Sequence, residues 1–252
     1  MSMKHKWSAV IITRNEEKHL SSCIQSIQGI TDDIIVVDSG STDDTISIAE
    51  SHGAQVYEIG WNGYGANKNF GTSKAKHNWI ISIDGDEVIS DSLKESILSL
   101  EPDRGSVYLL NSLVNYAGTW IKHCGWYPRY KIRIFNREDC LWDDAKVHEN
   151  LTPLAGMKQI KLSGDLLHYS YNSIHDHEKR ITDYARLRAE GWIENNQAPS
   201  LSKRYFGSWF QFIKTYIVKL GFLDGHAGWT ISKMNAKLSR LQIKFYDESV
   251  RS

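Results

Sequence analysis

The sequence predicts an α/β protein built on a doubly wound, mostly parallel sheet, with a helical C-terminal extension. Three observations carry this. Short β-branched runs alternate with helix-period segments over roughly the first ninety residues, the order that parallel β-α-β winding requires. The runs stop at Thr13, Asp38 and Asp84, which places these polar residues along one edge of the sheet, where open α/β sheets hold their ligands. From Glu178 onward apolar residues recur at steps of three and four, the spacing of amphipathic helices.

Taken in order, Trp7 to Ile12 is a first strand that breaks at Thr13-Arg14-Asn15-Glu16-Glu17. Leu20, Ile24 and Ile27 follow at helical spacing until Gly29, a suitable residue just past a helix end. Asp33 to Asp38 is a second strand, ending in Ser39-Gly40-Ser41-Thr42-Asp43-Asp44-Thr45. Thr42 or Asp43 can cap the next helix, which carries Ile46, Ile48 and Ala49. Gln55 to Ile59 is a third strand, and a helix is expected near Lys68-Asn69-Phe70. The fourth strand, Trp79 to Ile83, runs into Asp84-Gly85-Asp86-Glu87.

That last stretch admits two readings. Aspartates on either side of one glycine offer hard oxygen ligands, suited to Mg²⁺ or Mn²⁺ holding a diphosphate. The plainer reading is an acidic turn before a helix, since Ser90 and Asp91 precede Leu93, Ile97 and Leu100. The strand-end edge carries neither the Gly-x-Gly-x-x-Gly of a dinucleotide fold nor the Gly-Lys-Ser/Thr of a P-loop.

Composition narrows the function classes. Thirty basic residues balance thirty acidic ones in 252 residues, so no overall positive field points to nucleic acid. Cys23, Cys124 and Cys140 show neither metal spacing nor a disulfide framework, which suits a reducing cytoplasm. The start, Met1 to Trp7, reads as polar rather than as a signal peptide. No run approaches the roughly 20 apolar residues of a membrane span.

The stretches Ile11-Ile12-Thr13-Arg14-Asn15-Glu16-Glu17, Val36-Val37-Asp38-Ser39-Gly40-Ser41-Thr42-Asp43-Asp44-Thr45 and Ile83-Asp84-Gly85-Asp86-Glu87 together resemble family 2 glycosyltransferases of the GT-A fold, a Rossmann-like sheet. The resemblance implies that Thr13, Asn15 and Glu16 line a nucleotide pocket and that Asp38 contacts the base. It implies further that Lys68 helps hold the nucleotide, that Asp84 lies near the ribose and metal, and that Asp86 ligates the metal.

Beyond Glu101-Pro102 the reading expects a strand at Val107 to Asn111, an aromatic loop at Trp120 to Tyr130, and a strand with one charged face at Tyr130 to Phe135. Lys131-Ile132-Arg133-Ile134-Phe135, Val147-His148-Glu149 and Lys219-Leu220-Gly221-Phe222-Leu223-Asp224-Gly225 resemble the branch of the family that builds lipopolysaccharide cores, whose acceptors are lipid-linked. Inverting transfer needs a base for the acceptor hydroxyl; Glu149 is the first candidate and His148 the second. Arg133 either neutralises a phosphate or sits in a salt bridge. His168 is either a third metal ligand or a hydrogen-bonded core histidine.

The expected division is a catalytic domain over residues 1–177, with a nucleotide-binding half at 1–100 and an acceptor half at 101–177, and an amphipathic helical region at 178–252. Its helices carry Lys203, Arg204, Lys214, Lys219, Lys233, Lys237, Arg240 and Lys244 among aromatic residues. They either lie in a membrane interface or pack on the catalytic domain or a second subunit. The function expected is inverting transfer of a sugar, glucose foremost, from a UDP-type donor to a lipid-linked oligosaccharide, with Mg²⁺ or Mn²⁺, in the cytoplasm or at the cytosolic membrane face. A nucleotidyltransferase and a silent carbohydrate- or lipid-binding scaffold are the rival readings.

Overall fold

Every residue of the first strand, β1 (Trp7–Thr13), is buried in the computed structural model, which describes residues 6–143 and 151–251. The strand is apolar on both faces. Ala9 and Ile11 enter one core, and Val10 and Ile12 enter the other. A strand of this kind needs cover on both sides, and the following elements supply it: α1 (Leu20–Ile27), β2 (Asp33–Asp38), α2 (Thr45–Ser51), β3 (Gln55–Glu58), α3 (Tyr64–Lys74) and β4 (Trp79–Asp84). Leu20, Cys23, Ile24 and Ile27 of α1 fill the first core, and Phe70 of α3 packs against the second. Helix α3 starts at Tyr64, earlier than its weak apolar pattern suggests.

Strands β3, β2, β1 and β4 lie side by side and parallel, the doubly wound arrangement expected. The chain continues through β5 (Glu87–Ile89), α4 (Asp91–Leu98), β6 (Ser106–Tyr116), β7 (Thr119–Ile121), β8 (Tyr130–Asn136), β9 (Cys140–Trp142), β10 (Leu151–Pro153) and β11 (Lys158–Tyr171). Past β4 the order is β8, β6, β11, β5. There the pairs β4–β8, β8–β6 and β11–β5 are antiparallel, so the whole sheet is mixed. Ser90 caps α4 by accepting from the Leu93 amide at 3.4 Å. Strand β11 has no forerunner in the sequence reading. Within it only Leu162 and Leu166 are buried, so no continuous apolar run marks its 14 residues.

The chain forms two compact units, residues 1–112 with 129–169, and residues 113–128 with 170–252. In the second, α5 (Ile174–Glu194), α6 (Leu201–Ile213) and α7 (Gly225–Arg251) follow one another, and α7 packs on both of the others. Helix α5 begins at Ile174, set by Ser173, whose hydroxyl accepts from the Asp176 amide at 3.1 Å. Between α6 and α7 the backbone passes through a π-turn at Lys214–Val218 and a 3-10 turn at Gly221–Asp224. A Cβ on Gly228 would lie 1.8 Å from the Gly221 carbonyl oxygen, so glycine is required where α7 crosses the turn. Asp224 accepts from the amides of Lys122 at 3.2 Å and His123 at 2.9 Å. The Gly221-Phe222-Leu223-Asp224-Gly225 phrase thus has a local structural job.

His177 sits inside this unit, with Nδ1 3.0 Å from the Tyr116 hydroxyl and the rings of Tyr171 and Trp126 around it. Burial, with Arg180 adding its charge, pushes the imidazole down to about 4 from 6.5. The unfolded chain therefore takes up this proton first as pH falls, so the stabilisation is complete above about 6.5 and is lost progressively towards 4. We expect urea denaturation to show a loss on the order of 3 kcal/mol across that window from this group. His177→Gln, which cannot titrate, should flatten the slope; an unchanged slope would locate the acid sensitivity elsewhere.

Candidate active site at the strand ends

The register sets Thr13 beside Asp38 and Ile12 beside Asp84, which gathers the ends of three parallel strands. The loops that leave β1 and β2 are laced together. Asn15 adopts a left-handed backbone (φ 56°), which asparagine tolerates better than most residues. Its amide donates to Ser41 Oγ at 2.8 Å and its Oδ1 accepts from the Thr42 amide at 2.8 Å. The Glu16 amide donates to Thr45 Oγ1 at 2.8 Å, and the Glu16 carbonyl accepts from His19 and Leu20 to start α1. Asp38 is fully buried. Its carboxylate accepts from the Gly40 and Ser41 amides at 2.8 Å and from the Ser41 hydroxyl. In this structure Asp38 shapes its own loop, and no base-contacting oxygen is left pointing outward.

Behind this edge lies a buried group of four charges. Lys68 Nζ is 3.2 Å from Asp84 Oδ1, and Arg133 Nη2 is 3.0 Å from Asp84 Oδ2 and 2.6 Å from Glu87 Oε1. Glu87 Oε2 also accepts the Asp84 amide at 3.0 Å, and the Trp142 ring lies under Lys68 at 4.6 Å. The side chains of Lys68, Arg133 and Glu87 are at most 3 % exposed. Burial opposes charge on Asp84, but Arg133 and Lys68 outweigh it and hold the carboxyl well below the usual range. Burial raises the Glu87 carboxyl, against the pull of Arg133. Two acids and two bases cancel, as a low-dielectric site demands. Of the two readings open for Arg133, this geometry is the salt bridge. Arg133 reaches both acids from a register shift between β6 and β8, where Tyr108 faces Ile134 and Leu109 faces Ile132, the kind of bulge that re-aims a side chain.

Asp86 and His168 adjoin the four, His168 Nδ1 lying 4.0 Å from Glu87 Oε1. They meet at 3.1 Å, Oδ2 to Nε2, and remain 18 % and 23 % exposed. Strand pairing sets this, since Glu87 lies opposite His168 and the Asp86 carbonyl accepts the Tyr169 amide at 2.9 Å. Burial lowers the His168 imidazole, but Asp86 outweighs it and the net effect is upward. Gly85 makes the turn possible, because a Cβ there would lie 2.7 Å from Thr13 Oγ1. That hydroxyl is buried and, among the described residues, has no hydrogen-bond partner.

The residues suit a divalent cation only in part. Among the described residues no three acidic, histidine or cysteine side chains converge as a ready cage. Asp84, expected as a ligand, is held between two cations instead. A carboxylate and an imidazole side by side nevertheless match the mixed oxygen and nitrogen donors that Mn²⁺ accepts, with its other positions filled by substrate oxygens and water.

The expected bases His148 and Glu149 lie outside the described residues. Their flanks are described: Trp142 pairs with Leu151 across β9 and β10, and the Trp142 backbone exchanges hydrogen bonds with the Asn69 side chain at 3.0 and 3.1 Å. Sequence reasoning gave no role to Glu87, nor to Tyr169, whose ring stacks on His19 at 4.7 Å. For Glu87 a signal existed: it alternates with the inward-facing Ile89, and an acid in such a position requires a buried base.

An α/β protein with acids, a histidine and laced polar loops at its parallel strand ends belongs to the class that handles small phosphorylated or nucleotide ligands there. The sequence profile of glycosyl transferase family 2 matches residues 8–160, and the chain belongs to that family. It is 31 % identical to an uncharacterized glycosyltransferase of Rickettsia typhi, over 90 % of this chain and 82 % of the relative. It is 28 % identical to the lipopolysaccharide core biosynthesis glycosyltransferase LpsC of Rhizobium meliloti, over 83 % and 80 %. Among solved structures, glucosyl-3-phosphoglycerate synthase of Mycobacterium tuberculosis, in complex with Mn²⁺, UDP and glucosyl-3-phosphoglycerate, aligns at 27 % identity and a TM-score of 0.36. That alignment spans 44 % of this chain and 45 % of the mycobacterial one, less than half of either.

Removing Arg133 should expose what the buried charges cost. Arg133→Met leaves Glu87 and Asp84 without their shared cation, and we expect a loss of about 3–5 kcal/mol in urea denaturation. A loss below about 1 kcal/mol would mean that water screens the pair as it does at a surface.

Proposed function

We propose that this family 2 glycosyltransferase is an inverting, metal-assisted enzyme that moves a sugar, glucose foremost, from a UDP-type donor to a sugar hydroxyl of a lipid-linked core oligosaccharide at the cytosolic face of a membrane. The observation that carries the reading is the meeting of Asp86 and His168 at 3.1 Å on the strand-end edge, beside the ion pairs that engage Lys68, Asp84, Arg133 and Glu87. Residues 1–177 would carry the chemistry, donor side in 1–100 and acceptor side in 101–177, with 178–252 as a helical region beside it. The core-oligosaccharide acceptor is supported by the three sequence stretches shared with that branch and by the likeness to LpsC over most of both chains.

In this mechanism the laced loops of Thr13, Asn15 and Glu16 form the rim of the nucleotide pocket. Asp38 fixes the shape of that rim through its bonds to Gly40 and Ser41. Lys68 and Arg133 act from beneath by holding Asp84, so that the turn at Gly85 presents Asp86 outward. Asp86 and His168 are the residues that would hold Mg²⁺ or Mn²⁺, which when bound offsets the charge of the departing diphosphate. Glu149, or His148 in its place, takes the proton from the acceptor hydroxyl as that oxygen attacks the anomeric carbon. Membership of the family leaves nucleotidyl transfer without support. A silent scaffold would keep the fold yet fail to turn over a donor.

Thermal unfolding of the protein across a panel of nucleotide sugars with and without Mn²⁺ tests the donor class directly. UDP-glucose should protect most, and protection confined to another nucleotide would overturn that assignment. Asp86→Ala removes an accessible side chain and no core volume, so we expect an intact fold with metal-dependent donor binding abolished. Unchanged affinity and unchanged Mn²⁺ dependence would end the proposed role.

Glu149→Gln keeps the shape of the base without its proton acceptor. Donor binding should survive while transfer falls by at least about 10²-fold, the usual scale for loss of a general base. Near-normal turnover would move the role to His148 or another carboxylate.

A further inference from the structure

We infer that the second unit carries a docking surface for an anionic lipid bilayer, formed by the outer face of α6 and the turn that follows it. This goes beyond the catalytic proposal and stands on separate observations. No residue of α6 is buried. Leu201, Tyr205, Phe206, Trp209 and Phe210 are all exposed, Tyr205 at 77 % and Trp209 at 68 %. At 3.6 residues per turn they fall within about half of the helix circumference. The opposite side is occupied: Arg204 pairs with Asp247 of α7 at 2.7 Å, and Gly207 lies against Ser239 of α7. The turn adds Ile217, Val218, Phe222 and Leu223, again exposed. Large apolar side chains exposed in this number on one helix face and its following turn suit an interaction site.

Charge selects the occupant. From Asn195 to Tyr246 the chain holds eight lysines and arginines and one acid, Asp224. That acid is already engaged by the Lys122 and His123 amides and the His123 ring. Arg204, Lys237 and Lys244 pair with Asp247, Glu178 and Glu248, and the other five include Lys214 and Lys219. Exposed Lys214 and Lys219 follow the aromatic stripe directly. A second copy would bring an equally basic surface against this one and be repelled, whereas an anionic bilayer matches both features. Aromatic and aliphatic side chains enter the headgroup boundary while basic side chains meet lipid phosphates. The mode is interfacial, since no described helix is long and apolar enough to cross a membrane. Helix α6, with 13 residues and one face on α7, is built to lie flat.

Flotation of the full chain with phosphatidylcholine vesicles, with and without phosphatidylglycerol, tests this. We expect binding to the phosphatidylglycerol vesicles at low salt, partial release at high salt, and little binding to the neutral ones. Lys214→Glu with Lys219→Glu should weaken partitioning at least about tenfold, and Trp209→Ser with Phe210→Ser should remove the salt-resistant remainder. Circular dichroism and donor binding of each variant report on its folding, and the salt dependence of the unaltered protein needs no variant. Absence of binding to anionic vesicles at low salt overturns the inference. So does equal binding to neutral vesicles that ignores salt and the lysine changes. A lipid-free multimer that Trp209→Ser dissolves would also overturn it, making the face a contact between copies.

Discussion

The buried meeting of Lys68, Asp84, Arg133 and Glu87 is the constraint on which the catalytic unit depends. Isolated charges cannot persist out of water, so each of the four exists there only because the others do. They come from four separate elements: α3, the end of β4, β5 and β8. Pairing them therefore fixes how a helix and three strands meet at the point where the parallel part of the sheet ends. An apolar plug of equal volume would pack there at lower desolvation cost, but it would not dictate the direction of the Asp84-Gly85-Asp86-Glu87 turn. The charges do, since Glu87 returns to accept the Asp84 amide and closes the turn around Gly85.

That closure sorts four acids into different tasks. Asp84 and Glu87 face inward and are neutralised. Asp86, between them, meets His168 through Nε2, while Nδ1 of the same ring lies 4.0 Å from Glu87. Asp38 is spent on the amides of its own loop. Acids in similar motifs thus become either scaffold or available ligand according to which strand face and which donors they meet. The first strand is tied to the same turn by the Gly85 amide, which donates to the Ile12 carbonyl at 2.9 Å, and by the buried Thr13 hydroxyl beneath Gly85.

Much of this was legible in the sequence because β1, β2 and β4 are largely buried and end abruptly. Strand ends at Thr13, Asp38 and Asp84, and the capping role of Ser90, follow from composition and period. The directions of side chains did not follow. Lys68 in a helix of weak apolar pattern gives no sign that its ammonium is buried, and Arg133 depends on a register shift that only strand pairing creates. Strand β11, exposed over its first four residues and with a glycine in its middle, carries too few buried residues to be read as a strand. Yet it delivers His168, whose nearness to Asp86 was foreseeable through the third-ligand reading but not through the strand pairing that produces it.

Whole-chain averages carry no information on the docking face inferred for α6. A net charge of zero excludes a uniform field, and it was read that way, but neutrality over 252 residues says nothing about how charge is distributed. Residues 195–246 carry eight basic residues against one acid; Arg204, Lys237 and Lys244 are paired with Asp247, Glu178 and Glu248, while Lys214 and Lys219 lie exposed beside the aromatic stripe. Electrostatic attraction to a surface decays within a Debye length of about 8–10 Å, so a bilayer responds to the local excess and not to the sum. The same holds for hydropathy. The aromatic residues of α6 look like ordinary core material in the sequence, and the helical period predicts an apolar face without saying what covers it. What separates a core face from a docking face is the neighbour, and on α6 the neighbour, α7, takes the polar side. An amphipathic helix packed by its polar side has its apolar side left for something outside the chain.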